Sequence, residues 1–178
     1  ERCLKLLKKL KRLHESGWGT DFMPDQECYR VFMKRYANIG DGDQVEALLE
    51  ELYAFYLDQL DQNPHKRREF ELMLSPTSAH FSLVILAWSR SDSPTAAERA
   101  EAILNHMLEL EASRECKDIF VRSSSFNMGM VAWNQSGAPE SASKVQSLFD
   151  RLSELSVRDE AQKSRGPDSG SYSALIAS

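Results

Sequence analysis

The 178 residues carry 22 Lys and Arg against 27 Asp and Glu, a formal net charge of −5, and 42% of them are apolar. That is one domain's worth of chain with enough apolar residues for a helical core, and no run of about twenty apolar residues reads as a membrane span. Cys3, Cys28 and Cys116 are scattered and odd in number, which argues against a disulfide framework or a CxxC-type metal site, fits a reducing compartment, and leaves each cysteine as a small apolar filler.

In chain order, Leu6, Leu7, Leu10 and Leu13 recur at helical spacing, with Lys5, Lys8, Lys9, Lys11 and Arg12 as a basic stripe on the other side; a solvated helix face is the plain reading of that stripe. Pro24-Asp25 introduces Tyr29, Val31, Phe32 and Tyr36, and a helix over about 44–57 follows. Asp61-Gln62-Asn63-Pro64 should interrupt the stretch 59–75, which otherwise extends that helix or loops out. Phe81, Val84, Ile85 and Trp88 form one stripe, Ser91-Asp92-Ser93-Pro94 breaks it, and Ala97, Ala100, Leu104 and Met107 form the next. Residues 118–126 look too polar and Ser-rich to bury a face, and 158–166 is charged and short of apolar residues, so it reads as a mobile connector. Pro167-Asp168 introduces Tyr172, Leu175 and Ile176. The reading is all-α.

A repeat organises these elements. Phe81, Ala87-Trp88, Ser91, Pro94, Ala97 and Glu109-Leu110 recur 45 residues later as Phe126, Ala132-Trp133, Ser136, Pro139, Ala142 and Glu154-Leu155. Glu46-Ala47-Leu48-Leu49 matches Glu101-Ala102-Ile103-Leu104, and Leu6, Leu7, Leu10 and Leu13 match Ile103, Leu104, Met107 and Leu110. A fixed period of this size implies stacked helical hairpins, here a partial unit 1–25, units 26–77, 78–122 and 123–168, and a partial unit 169–178. The expectation is a cut segment of a longer protein, beginning inside one unit's second helix and ending inside another's first. Such arrays work as extended binding surfaces rather than catalytic clefts.

The Pro-x-x-x-x-aromatic opening, the Trp or Tyr seven residues later, the small-residue turn and Ala97-Glu98-Arg99-Ala100-Glu101-Ala102-Ile103-Leu104 with Met107 resemble pentatricopeptide repeats of the elongated form. The units are longer than the family's norm of about 35 residues, near the tetratricopeptide length of about 34. The tetratricopeptide signature early in the first helix is missing. The resemblance implies a right-handed α-α superhelix, or solenoid, whose first helices (helices A) read single-stranded RNA one base per unit, in transcript processing, stability, editing or translation in a mitochondrion or chloroplast. It implies no cofactor, no membrane and no enzyme activity in the segment. Carried over from the family, the residue after each helix A aromatic, Arg30, Ser82, Asn127 and Ser173, and the last residue of each unit, Asp25, Thr77, Arg122 and Asp168, would choose the base. Asn127 with Asp168 is similar to the family's uracil-preferring pair; Ser82 with Arg122 and Arg30 with Thr77 depart from its combinations. The usual aliphatic neighbour of the base is replaced by Glu27, Ala79, Ser124 and Gly170.

Plainer readings stand beside these. Trp88 and Trp133 read as core. Asn127 and Arg122 read equally as exposed polar residues, and His80 as a capping or solvent-exposed residue. A tetratricopeptide-like protein-interaction scaffold is the alternative, as is a structural spacer, and the charge of the helix A groove separates RNA from protein. The acidic balance weighs against phosphate binding. Residues 1–16 hold six basic and two acidic groups, leaving 16 against 25 in the rest. Much of that acid, including Glu46, Glu50, Glu51, Glu98, Glu101, Glu109 and Glu111, belongs to second helices (helices B), where it could face away from a ligand. His14, His65, His80 and His106 have no ligand-spaced partner, so no metal site is expected.

Overall fold

A computed structural model describes residues 2–17, 23–113, 118–158 and 165–178, and all regular structure among them is helical. The helices are α1 (Arg2–Glu15), α2 (Gln26–Ala37), α3 (Gly42–Gln62), α4 (Arg67–Leu74), α5 (Ser78–Trp88), α6 (Ala96–Ser113), α7 (Ser123–Ser136), α8 (Ser141–Arg158) and α9 (Ser169–Ile176). No single one is long and apolar enough to cross a membrane.

The expected hairpins form. α2 packs on α3, α5 on α6 and α7 on α8, and each hairpin then packs on the next: α5 on α2 and α3, α7 on α5 and α6, α9 on α7 and α8. Helices A therefore run side by side as α2, α5, α7 and α9. The repeated aromatics Tyr29, Phe81 and Phe126 are all buried in one continuous core. Trp88 and Trp133 join it at 3% and 2% exposure, which places both in the packing rather than on a surface. Ala97 is buried with them, but its counterpart Ala142 is exposed. α6 is packed between α5 and α7, whereas α8 has α7 and the eight-residue α9.

Each Trp closes a clasp between hairpins. Trp88 Nε1–H donates to Glu46 Oε2 of the preceding hairpin at 2.9 Å, and Arg99 of its own hairpin pairs with the same carboxylate. One unit later, Trp133 Nε1–H donates to Glu101 Oε2 at 3.0 Å, and Lys144 Nζ meets that oxygen at 3.0 Å. Arg99 lies 5.9 Å from the centre of the Trp88 ring, and Lys144 lies 5.1 Å from that of Trp133. A buried indole N–H needs an acceptor, and a carboxylate leaving water needs a cation; one three-residue set meets both needs at each junction.

The connectors are more ordered than the sequence suggests. α3 ends at Gln62, a 3₁₀ turn spans Pro64–Lys66, and α4 folds back so that Phe70 and Leu74 join Met23 and Tyr56 in a second small core. Ile119 and Val121 are buried, correcting the reading of 118–126 as too polar. They are held because Ser78 at the start of α5 donates to Asp118 O at 3.0 Å and accepts from Phe120 N–H at 2.6 Å. Its counterpart Ser123 donates to Gly166 O at 2.8 Å. Most of the expected mobile connector 158–166 lies outside the described residues, but Arg165 is buried, paired with Glu111 and over the Phe120 ring. The basic stripe of α1 is not wholly solvated either: Lys11 reaches Glu51 and the rings of Tyr29 and Phe55. Of the leucines opposite it, Leu7 is buried while Leu6 is exposed. Cys28 is a free, half-buried thiol; Cys3 and Cys116 are not described at side-chain level.

Candidate nucleic-acid interface

The four unit-end residues share one structural position: Asp25, Thr77, Arg122 and Asp168 are the N-caps of α2, α5, α7 and α9. A helix start leaves orphan N–H groups that an Asp, Ser, Thr or Asn side chain can satisfy. Asp25 Oδ1 accepts from Cys28 N–H at 2.8 Å. Asp168 Oδ1 accepts from Ser171 N–H at 3.0 Å, while Asp168 N–H donates back to Ser171 Oγ at 3.1 Å. Thr77 N–H donates to His80 Nδ1 at 3.2 Å. Capping thus accounts for three of the four without a ligand. Arg122 is the exception. It has no acceptor to offer, makes no cap bond, stays exposed and lies 5.9 Å from the Phe120 ring centre.

His80 is wholly buried, so the capping reading holds and the solvent-exposed one does not. Its Nδ1 accepts from Thr77, so Nε2 carries the proton and donates to Gln26 O in α2 at 2.8 Å. Burial, more than any partner, holds its pKa below the ordinary value of 6.5.

The residues after the aromatics meet different fates. Asn127 and Asp168 come together as expected: Asn127 Nδ2–H donates to Asp168 Oδ1 at 2.8 Å. They are not free of internal partners, which corrects the expectation of two groups waiting for a base. Ser171 Oγ–H donates to Asn127 Oδ1 at 2.7 Å and lies 3.1 Å from Asp168 Oδ1, so the three side chains close a ring of bonds. A Cβ on Gly170 would lie 2.7 Å from Asn127 Nδ2, so the pair depends on glycine there. The Asn127 bond is the first cause holding the Asp168 carboxyl below its usual range. Arg30 is forked onto Glu27, Nε to Oε2 at 2.9 Å and Nη2 to Oε2 at 2.5 Å. Ser82 Oγ lies 3.3 Å from Ser125 Oγ. Ser173 is exposed and donates to Ser169 O in its own helix at 2.8 Å.

Two hollows run along the helix A side. One, of about 310 Å³, spans α2, α5 and α7 and is lined by Arg30 and Lys34 at one end and by Ser82, Leu83, Leu86 and Met128 beyond. The other, of about 440 Å³, holds Thr77, Ser82, Phe120 and Arg122, with Asp118 its one carboxylate among the described residues. Ala79 and Ser82 line both, so the hollows adjoin. Ser82 and Arg122 therefore share a hollow, as their pairing requires, whereas Arg30 lines the hollow that Thr77 does not. On helix B, the carboxylates of Glu46 and Glu101 are taken up by the clasps. Lys34, Leu83, Leu86, Met128 and Phe120 were not singled out from sequence; the first four share the outward side of helices A, a signal that periodicity could have carried. Among the described residues no group of three His, Cys, Asp or Glu is placed to hold a metal ion.

No family model matches the chain, and neither does any curated protein or solved structure.

Proposed function

We propose that this chain forms a right-handed α-solenoid of pentatricopeptide-like hairpins, without catalysis of its own, whose helix A side binds single-stranded RNA. The linear order of hairpin contacts supports the solenoid, since each hairpin packs on its neighbours in the chain. One observation carries the RNA reading. The adjoining helix A hollows combine Lys34 and Arg122 with apolar walls and small hydroxyls; Arg30 lines them too, with its charge met by Glu27, and Asp118 is the carboxylate among the described lining residues. Single-stranded RNA presents phosphates to cations and unstacked bases to apolar and aromatic surface, so it meets both halves of that lining. A chain of net charge −5 can still bind an anion where the local field is positive.

The Ser82–Arg122 hollow, rather than Asn127–Asp168, is the open site in this reading. Asn127 and Asp168 must break bonds to Ser171 before meeting a base, and that cost weakens selection of uracil at that unit. The test is fluorescence anisotropy with a labelled single-stranded RNA and its duplex, over a salt series. The expected result is preference for the single strand, loss with salt, and weakening by Arg122→Ala and Lys34→Ala. Equal binding of duplex, or binding that these substitutions leave unchanged, overturns the RNA reading and leaves the protein scaffold.

A further inference from the structure

On the helix B side, three equivalent junctions follow one another, and at two of them a cation of the chain itself bonds across the junction at one repeat position. Where α1 meets α3, Lys11 Nζ bonds Glu51 at 2.5 Å and lies 5.7 Å from the Tyr29 ring centre. Where α6 meets α8, Arg151 Nη1–H donates to Asn105 Oδ1 at 2.8 Å. The repeat places Glu51, His106 and Arg151 at one position: Glu51 follows Glu46 as His106 follows Glu101, and Arg151 lies 45 residues beyond His106. At the middle junction that position is His106, whose Nδ1 lies 3.8 Å from Glu109 of its own helix. Beside the Arg99–Glu46 pair, which already joins α3 to α6, that position makes no bond across the junction among the described residues, and the two helices leave a hollow of about 250 Å³ walled by Leu49, Phe81 and Ile103, with Glu46, Glu50, Tyr53 and His106 also lining it.

We propose that this hollow receives the alkylammonium group of a lysine presented by a partner protein. Glu50 is exposed, makes no ion pair among the described residues and supplies the counter-charge. The rings of Phe81 and His106, with centres 5.9 Å apart, supply an aromatic wall for the cation. Leu49 and Ile103 take the methylene stem, as apolar surface does for any lysine whose head stays wet. The chain's own precedent chooses lysine: at the first junction Lys11 meets a carboxylate beside the buried aromatic that corresponds to Phe81. The hollow lies on helices B and owes nothing to the RNA reading.

The experiment is a titration of the full chain, followed by backbone amide NMR shifts, with three probes. They are acetyl-Gly-Lys-Gly-amide, the same peptide with norleucine for lysine, and n-butylammonium chloride. The lysine peptide is expected to saturate shifts confined to Glu50, Ile103, His106 and their neighbours. The norleucine peptide should not, and Glu50→Gln should weaken the lysine peptide about fivefold, the scale of a partly exposed ion pair. His106→Arg should close the hollow from within, as Arg151 does at the next junction, abolishing the shifts while the helical circular dichroism is retained. No saturation by the lysine peptide at tens of millimolar, or equal affinity in Glu50→Gln, overturns the proposal. Saturation by n-butylammonium without the peptide overturns the protein partner in favour of a free amine.

Discussion

The two Trp clasps use the same three roles in the same places, yet they differ in how far they exclude water. At the first, Glu46 is 8% exposed and the Trp88 bond to it is fully buried. At the second, Glu101 and its bond to Trp133 are only partly buried, and lysine replaces arginine. The backbone approach differs too. A Cβ on Gly42 would come within 2.4 Å of the Trp88 ring, whereas the repeat position facing Trp133 carries Ala97 and so leaves room for a methyl group. A clasp that excludes water depends more steeply on each member, because an unmade bond there is replaced by nothing. The comparison teaches that equal sequence register gives equal partners but not equal energies.

The largest expected effect tests what the clasps share. Trp88→Ala and Trp133→Ala should each cost about 3–5 kcal/mol, the range for truncating a buried aromatic, read from urea unfolding midpoints. Stability unchanged within error for Trp133→Ala would take that ring out of the core. The next effect tests what separates the clasps. Gly42→Ala should cost about 1–3 kcal/mol through overpacking against Trp88, while Ala97→Gly at the equivalent position should cost no more than about 1 kcal/mol. Equal losses at the two positions would mean that the two approaches are equally close.

A smaller effect belongs to the far end. Asn127→Ala should lower stability by about 0.5–1.5 kcal/mol, the net worth of hydrogen bonds of this kind, because Asn127 ties α7 to the start of α9. The lost docking of α9 should appear as faster amide exchange at Ser171 and Ala174 than elsewhere. Exchange unaltered there would mean that the ring of bonds does not hold α9.

Much of this was legible in the sequence for one reason: apolar residues at a fixed period must bury the same way in each unit. That logic placed the hairpins, put Phe81 and Phe126 in the core, and assigned Trp88 and Trp133 to packing. It failed at Ala142, because burial also needs a neighbour to be buried against. The juxtaposition of Asn127 and Asp168 was legible, but their engagement was not, since Ser171 is an ordinary residue until the cap geometry turns it toward both. The clasps were half visible. Glu46 and Glu101 align, as do Arg99 and Lys144, yet nothing in a one-dimensional pattern says that a surface-type acid on helix B will accept from an indole in the next hairpin. Ile119 and Val121 were misread because the serines around them satisfy backbone groups rather than solvating the segment.

The smallest expected effect is confined to acid pH and separates the first helix A junction from the second. His80 joins α5 to α2 through its bond to Gln26 O. Its repeat counterpart is Ser125, which lies 3.3 Å from Ser82 Oγ and does not titrate in this range. Burial favours the neutral imidazole, so the folded chain binds that proton less readily than the unfolded chain, whose histidine titrates near 6.5. The stabilisation is complete above the unfolded value and is lost as pH falls toward and through the lower folded one. Protonation also removes the acceptor that Nδ1 offers to Thr77 N–H, so the α5 cap opens as the charge appears. Unfolding free energy measured from pH 8 to pH 5 should therefore fall with acid, and His80→Asn, which keeps an acceptor and a donor but has no proton to gain, should remove that part of the slope. A slope identical in the two proteins would show that His80 binds its proton as readily folded as unfolded, and the first junction would then carry no more pH dependence than the second.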